Sequence, residues 1–183
     1  MALPKRVRYK ATDIYDTPDD GKRYEVIDGN LYVSPPPLAE HQSTSMVLCR
    51  YLAPYIHERR LGKLFAAPIG VELDDENGVQ PDLVFVSRDR LEIVTRRGIL
   101  GAPDLVVEIL STRTRTRDRS VKLRRYDAAG VRYYWIVDPR TRSLDELRLA
   151  EGGYERVGTY GPGATFRSEL FPGLEIPIDE LWA

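Results

Sequence analysis

The chain has 183 residues, 42% hydrophobic and 30% charged, and its 27 basic and 28 acidic side chains leave a net charge of −1; this predicts one ordinary globular domain and excludes a disordered chain. No apolar run approaches the ~20 residues of a membrane span, and the basic start, Met1 to Tyr9, lacks the apolar stretch of a secretory signal. One cysteine, Cys49, with two histidines, His41 and His57, makes neither an internal disulfide nor a Cys/His zinc site, so the expectation is a soluble cytoplasmic protein.

Tyr24 to Ser34 reads as a β-hairpin, because two short apolar and aromatic runs flank Asp28-Gly29-Asn30, a tight-turn signal. Pro35-Pro36-Pro37 stops its second strand. From about Ala39 to Arg60, Met46, Val47, Leu48, Leu52, Tyr55 and Ile56 recur at helical spacing. Pro54 is expected to kink or interrupt this helix by crowding Arg50 and removing a backbone donor, and Gly62 to stop it. Cys49 falls in its apolar part and reads as a small buried residue. Three strand candidates follow. Lys63 to Leu73 is the first and, after the turn Asp74 to Gly78, Val79 to Ser87 is the second. Pro103 to Ser111 is the third, apolar on both faces like an interior strand. A second helix is expected from near Asp118 to Ala129, ended by Gly130, then a fourth strand from Val131 to Asp138, closed by Pro139. Leu144 to Ala183, with Gly152-Gly153 and Gly161-Pro162-Gly163 turns, reads as antiparallel hairpin material and a short tail. No internal repeat or long linker divides the chain. The order predicts a single α/β domain with a mixed central sheet flanked by helices: a core over about 39–139, an N-terminal hairpin at 24–34 and a C-terminal β extension at 144–183. The second helix should carry a parallel crossover between the third and fourth strands.

Two acids lie in unusual company. Asp82 sits between Pro81 and Leu83-Val84-Phe85-Val86, and Glu108 sits inside Leu105-Val106-Val107-Glu108-Ile109-Leu110. A carboxylate inside an interior strand is costly unless a cation compensates it. Strand alternation puts Asp104, Val106, Glu108 and Leu110 on one face, and Gln80, Asp82 and Val84 on one face. If the strands are neighbours, Asp82 and Glu108 converge, and two adjacent carboxylates suit Mg²⁺ or Mn²⁺. The alternative is a pair of acids salt-bridged to arginines. Lys122, the only lysine after Lys63, is placed in the first turn of the second helix. Its compact charge suits a water or a crowded phosphate better than an arginine would, or it is a snorkelling surface side chain. Glu40 could reach a metal through water or favour the start of the first helix by its charge, and His41 could act as a general base. Arg113, Arg115, Arg117, Arg119, Lys122, Arg124 and Arg125 crowd around one acid, Asp118, whereas the stretch from Glu169 holds only acids: Glu175, Asp179 and Glu180 besides Glu169 itself. Such a block points to a localised anionic partner or to a solvated helix entry.

Pro81-Asp82, Pro103-Asp104-Leu-Val-Val-Glu108-Ile-Leu-Ser111, Asp118-Arg119 with Lys122, and Tyr134-Trp135-Ile136-Val137-Asp138-Pro139 together resemble the Uma-two family of endonucleases. That family belongs to the PD-(D/E)xK, or restriction-endonuclease-like, nuclease superfamily. The resemblance covers roughly Tyr24 to Asp138. It implies a helix, a three-stranded meander, a second helix and a returning strand, with Asp82, Glu108 and the backbone carbonyl of Ile109 as ligands of Mg²⁺ or Mn²⁺. The superfamily's usual lysine stands two residues after the second acid, where this chain has Leu110; the family supplies it from the following helix, where Lys122 stands. The implied activity is metal-dependent hydrolysis of DNA to a 5′-phosphate and a 3′-hydroxyl. Asp82, Glu108, Lys122 and Glu40 would be catalytic, Arg113, Arg115, Arg117 and Arg119 would contact flanking phosphates without reading sequence, and a homodimer would serve the two strands. The alternatives are an RNA-directed nuclease and a nuclease-like module that binds nucleic acid or a protein partner without cutting; metal binding at Asp82 and Glu108 separates the last from an enzyme.

Overall fold

The computed structural model describes residues 7–112 and 115–182. The N-terminal hairpin forms as the turn signal predicts. Strands β1 (Arg23–Ile27) and β2 (Asn30–Ser34) pair antiparallel, and Asp28 (φ 54°) and Gly29 (φ 66°) both take left-handed conformations between them. That turn has the twist a hairpin needs. Helix α1 (Ala39–Glu58) begins after the prolines and buries Leu48, Leu52, Tyr55 and Ile56. It runs on through Pro54: this proline is exposed, so the carbonyl deprived of its partner can turn to water.

Two expected strands are each cut in half by a proline. Lys63 to Leu73 becomes β3 (Gly62–Ala66) and β4 (Val71–Asp74), separated by Pro68. Val79 to Ser87 becomes β5 (Asn77–Val79) and β6 (Leu83–Ser87), separated by Pro81. Proline lacks the N–H that a continuing ladder requires, and in both cases the halves enter different sheets. One sheet has the order β2-β1-β5-β4-β7, with β7 at Ile99–Leu100. The other has the order β11-β10-β9-β8-β6-β3, with β8 (Leu105–Ile109), β9 (Tyr133–Asp138), β10 (Ser143–Ala150) and β11 (Gly153–Tyr160). Within it β8 and β9 are parallel and the other neighbours antiparallel, the mixed sheet that the element order predicts.

The β8–β9 crossover is helical, as expected, but starts earlier. It comprises α2 (Arg115–Arg117), a π-helical turn at Asp118–Lys122 and α3 (Leu123–Ala129), closed by Gly130 in the left-handed conformation at φ 85°. Asp118, read as the helix start, is therefore interior, and Lys122 lies beyond the first turn. The six-stranded sheet is covered on both faces. Leu105, Val107 and Ile109 of β8 pack toward Leu48 and Leu52 of α1 and toward Phe166 and Phe171. Val106 and Leu110 pack toward Val71 and Val79 of the other sheet and Tyr126 of α3. Strand alternation then points Glu108, flanked by Val106 and Leu110, at the crossover helix. Among the described residues no helix is long and apolar enough to cross a membrane.

Candidate active site

Strands β6 and β8 pair with Leu83 opposite Val107. One step further along an antiparallel pair brings Asp82 opposite Glu108. Both carboxylates are buried, at 2% and 1% exposure. Asp82 Oδ1 receives Arg23 Nη2 at 2.6 Å; Oδ2 accepts the Ile109 N–H at 2.7 Å and lies 3.2 Å from His41 Nε2. Glu108 Oε1 accepts both Lys122 Nζ at 2.8 Å and the Tyr126 hydroxyl at 2.7 Å. Strand β1 adds Glu25, whose Oε1 is 2.7 Å from Lys122 Nζ, and Asp118 Oδ1 is 3.6 Å from the same nitrogen. Arg23, Glu25, His41, Glu108, Lys122 and Arg140 all line one cavity of about 630 Å³.

Burial penalises every charge here, and the partners decide which survive. At Asp82 burial is outweighed by Arg23, then by His41 and the Ile109 N–H, so the carboxyl stays well below the usual range. At Glu25 burial is outweighed by Lys122, then Arg23. At Glu108 burial wins over the pull of Lys122, and Asp118, Asp82 and Glu25 reinforce it, pushing the carboxyl up to about 8. Lys122 overcomes its own burial through Glu108, Glu25 and Asp118, and its ammonium is held far more firmly than usual. The Lys122 ammonium is shared among Glu25, Glu108 and Asp118, and Arg23 and Arg117 add positive charge on the Glu25 side.

The donor set fits a small hard cation. Among the described residues every hydrogen bond to Glu108 falls on Oε1, and Glu108 lines the cavity, which leaves Oε2 to act as a ligand. Asp82 Oδ1 has one partner, and a carboxylate oxygen can accept more than one. The Ile109 N–H points to the Asp82 side, and in a strand the carbonyl of the same residue points the same way. No cluster of three or more His, Cys, Asp or Glu side chains suited to a metal occurs among the described residues. Mg²⁺ does not require one, since it commonly takes one or two carboxylates and completes its shell with water and phosphate.

A model of the family Uma2, described as "Putative restriction endonuclease", matches residues 11–179. The chain belongs to the Uma2 family. A solved structure described as "a putative nuclease belonging to DUF820", from Anabaena variabilis ATCC 29413, is similar over 94% of this chain and 97% of that one, with a TM-score of 0.77 and 18% identity. At that identity the likeness establishes a shared fold alone, a mixed α/β architecture with sheets flanked by helices. No curated protein matches the chain.

In this Uma2 chain Asp82, Glu108 and Lys122, three residues singled out from sequence, meet at one point. Lys122 is buried at 2% exposure and does not snorkel. Glu40 is exposed in the first turn of α1 and lines the cavity. Leu110 is buried with Val106 and Tyr134. Three arginines of the basic block turn inward to acids: Arg115 forks onto Asp138, Arg119 bridges Asp138 and Asp145, and Arg117 lies 3.7 Å from Glu25 Oε2 and donates to Ser34. Arg113 lies outside the described residues. Sequence reasoning missed Arg23, Glu25 and Tyr126; the His41 ring, offered there as a general base, sits against Asp82 at 13% exposure. Glu25 carried a readable signal, an acid inside the apolar run Tyr24 to Ile27, the same signature as Glu108. Arg115→Gln should lower stability by about 1–3 kcal/mol, because Asp138, at 1% exposure, would lose its forked partner while keeping Arg119 at 3.4 Å; thermal melting measures this.

Proposed function

We propose that this Uma2 protein is a divalent-metal-dependent endonuclease that hydrolyses DNA phosphodiester bonds. The observation that carries the reading is the apposition of Asp82 and Glu108 on neighbouring strands, with Lys122 Nζ 2.8 Å from Glu108 at the wall of an open cavity. Asp82, Glu108 and the Ile109 carbonyl would hold Mg²⁺ or Mn²⁺, which when bound lowers the pKa of water and offsets phosphate charge. Lys122 presents a fixed ammonium to the reacting phosphate, and Glu25 holds it in place, so its charge needs no rearrangement during the reaction. Tyr126 keeps its proton far into the alkaline range because burial, then Glu108, disfavours the phenolate; it serves as a donor that orients Glu108. Arg115 and Arg117, aimed into the cavity by their acids, contact flanking phosphates, and Glu40 marks the rim where substrate enters. Two copies would serve the two strands of a duplex.

A cleavage assay on plasmid and single-stranded DNA tests the reading. Products should appear with Mg²⁺ or Mn²⁺ and disappear with EDTA. Cutting that persists in EDTA would overturn the metal dependence. DNA binding without cutting in either metal would favour the non-catalytic module, the reading to which the buried Leu110 lends weight, since it stands where the superfamily usually places lysine.

Arg140 extends the reading. It is exposed at the cavity mouth, and its backbone N–H is tied to Asp138 Oδ1 at 3.1 Å. Arg140→Gln should flatten the dependence of log K on log salt for duplex binding by about one unit, the effect of one lost phosphate contact, with unchanged thermal stability. A slope identical to wild type would place Arg140 off the DNA path.

A further inference from the structure

We infer that Arg23 is a built-in competitor for the metal position: its guanidinium holds Asp82 Oδ1 and must withdraw for a divalent cation to take that oxygen. The inference rests on the metal reading above. Its geometry is that of a removable cation. Arg23 Nη2 lies 2.6 Å from Asp82 Oδ1, yet the Arg23 side chain is 18% exposed where Asp82 is 2% exposed. Arg23 lines the cavity and its side chain is partly exposed, so it has open volume to retreat into. The other contacts to Asp82, from the Ile109 N–H and His41, both fall on Oδ2. They fix the carboxylate plane without Arg23 and leave Oδ1 as the oxygen that becomes free when the guanidinium moves.

The second cation of the site behaves differently. Lys122 is 2% exposed and lies 2.7, 2.8 and 3.6 Å from Glu25, Glu108 and Asp118, so three carboxylates hold it in place. Arg23 has one carboxylate at hydrogen-bond distance. It is also the first residue of β1, where the β1–β2 ladder ends at Arg23 opposite Ser34. A guanidinium and a divalent ion cannot share Oδ1 at close range, because their repulsion in a partly desolvated site is large. Occupancy by metal is therefore coupled to release of Arg23, which sets a threshold metal concentration. A planar five-donor group set free inside an anion-binding cavity is well suited to grip a phosphate.

Calorimetric titration with Mn²⁺ alone tests this on the full chain, without reference to cleavage. Arg23→Gln should bind Mn²⁺ roughly tenfold more tightly than wild type, since a unit positive charge has left the site. Arg23→Lys, which keeps the charge, should stay close to wild type. Unchanged or weaker binding in Arg23→Gln would overturn the inference, and weaker binding would mean that Arg23 helps to build the site. If Arg23→Gln is unfolded in metal-free buffer, recovery of native circular dichroism at Mn²⁺ concentrations below the wild-type Kd supports the competitor role, and failure to recover overturns it. Asp82→Asn in the same titration isolates the parent reading. Undiminished Mn²⁺ binding there defeats the metal site itself, and the competitor role with it. Lost binding there, beside an unchanged Arg23→Gln, defeats the competitor role alone.

Discussion

Lys122→Ala is expected to lose DNA cutting and a large part of the protein's stability together. The ammonium lies 2.7 Å from Glu25, 2.8 Å from Glu108 and 3.6 Å from Asp118, in a site where all three acids are buried. Removing one side of a buried ion pair costs about 3–5 kcal/mol, because the remaining charge cannot be solvated. In a chain of this size that lowers Tm by roughly 6–20 °C. Two of the carboxylates would be forced to take up protons, so the loss should be smallest in mildly acidic buffer. In the fraction that remains folded, cleavage should fall by orders of magnitude, since a fixed charge beside the reacting phosphate is worth several kcal/mol. Thermal melts across pH and single-turnover cleavage measure the two effects separately. A melting temperature equal to wild type would mean that the ammonium does not hold the cluster together.

The two candidate metal ligands should respond to neutralisation with opposite changes in stability, although both Asp82→Asn and Glu108→Gln should abolish Mn²⁺ binding and cutting. Glu108 keeps its proton in the folded protein up to about 8, against an ordinary value of 4.5. Between those pH values the folded state holds a proton that the unfolded chain has lost, so stability falls as pH rises. Glu108→Gln removes that slope and should be more stable than wild type at pH 8 to 9, by on the order of a few kcal/mol. Asp82 is the reverse case. Its folded value lies below its ordinary 3.8, so its ionised form stabilises the protein above that pH, and the contribution vanishes as pH falls through the folded value. Asp82→Asn discards this term and strands Arg23, so it should melt earlier at neutral pH. Equal shifts of the same sign would contradict the charge distribution assigned to the cluster.

Local signals in the sequence were enough for the hairpin, whose Asp28-Gly29 turn is decided by two residues, and for α1, whose apolar stripe runs from Met46 to Ile56, about three turns. They were also enough for the apposition of Asp82 and Glu108, because a carboxylate in an apolar strand demands a partner wherever it lies. They failed where a residue serves a non-local purpose. Pro68 and Pro81 transfer the chain between sheets, and a linear reading of apolar runs carries straight across them. Arg115, Arg117 and Arg119 read as a solvated block because their acids, Asp138, Asp145 and Glu25, are distant in the sequence. Arg23 was invisible for the same reason: only the approach of the start of β1 to the residue preceding β6 reveals that its guanidinium meets Asp82. The early start of the crossover helix escaped because Asp118 imitates a helix-opening acid while serving as one wall of the lysine cage.

The ion cluster also bears on the order in which the chain folds. Its contacts join residues 59 apart for Arg23 with Asp82, and 83 apart for Arg117 with Ser34. Closing loops of that length costs entropy before any contact repays it. The hairpin, α1 and the Lys122–Glu108 pair, only 14 residues apart, can assemble early. The arrival of β1 should therefore be a late event, and until then Asp82 would lack Arg23 and Lys122 would lack Glu25. The candidate catalytic centre is thus completed by the last long-range docking step, and nuclease activity should appear during refolding only with the slowest phase.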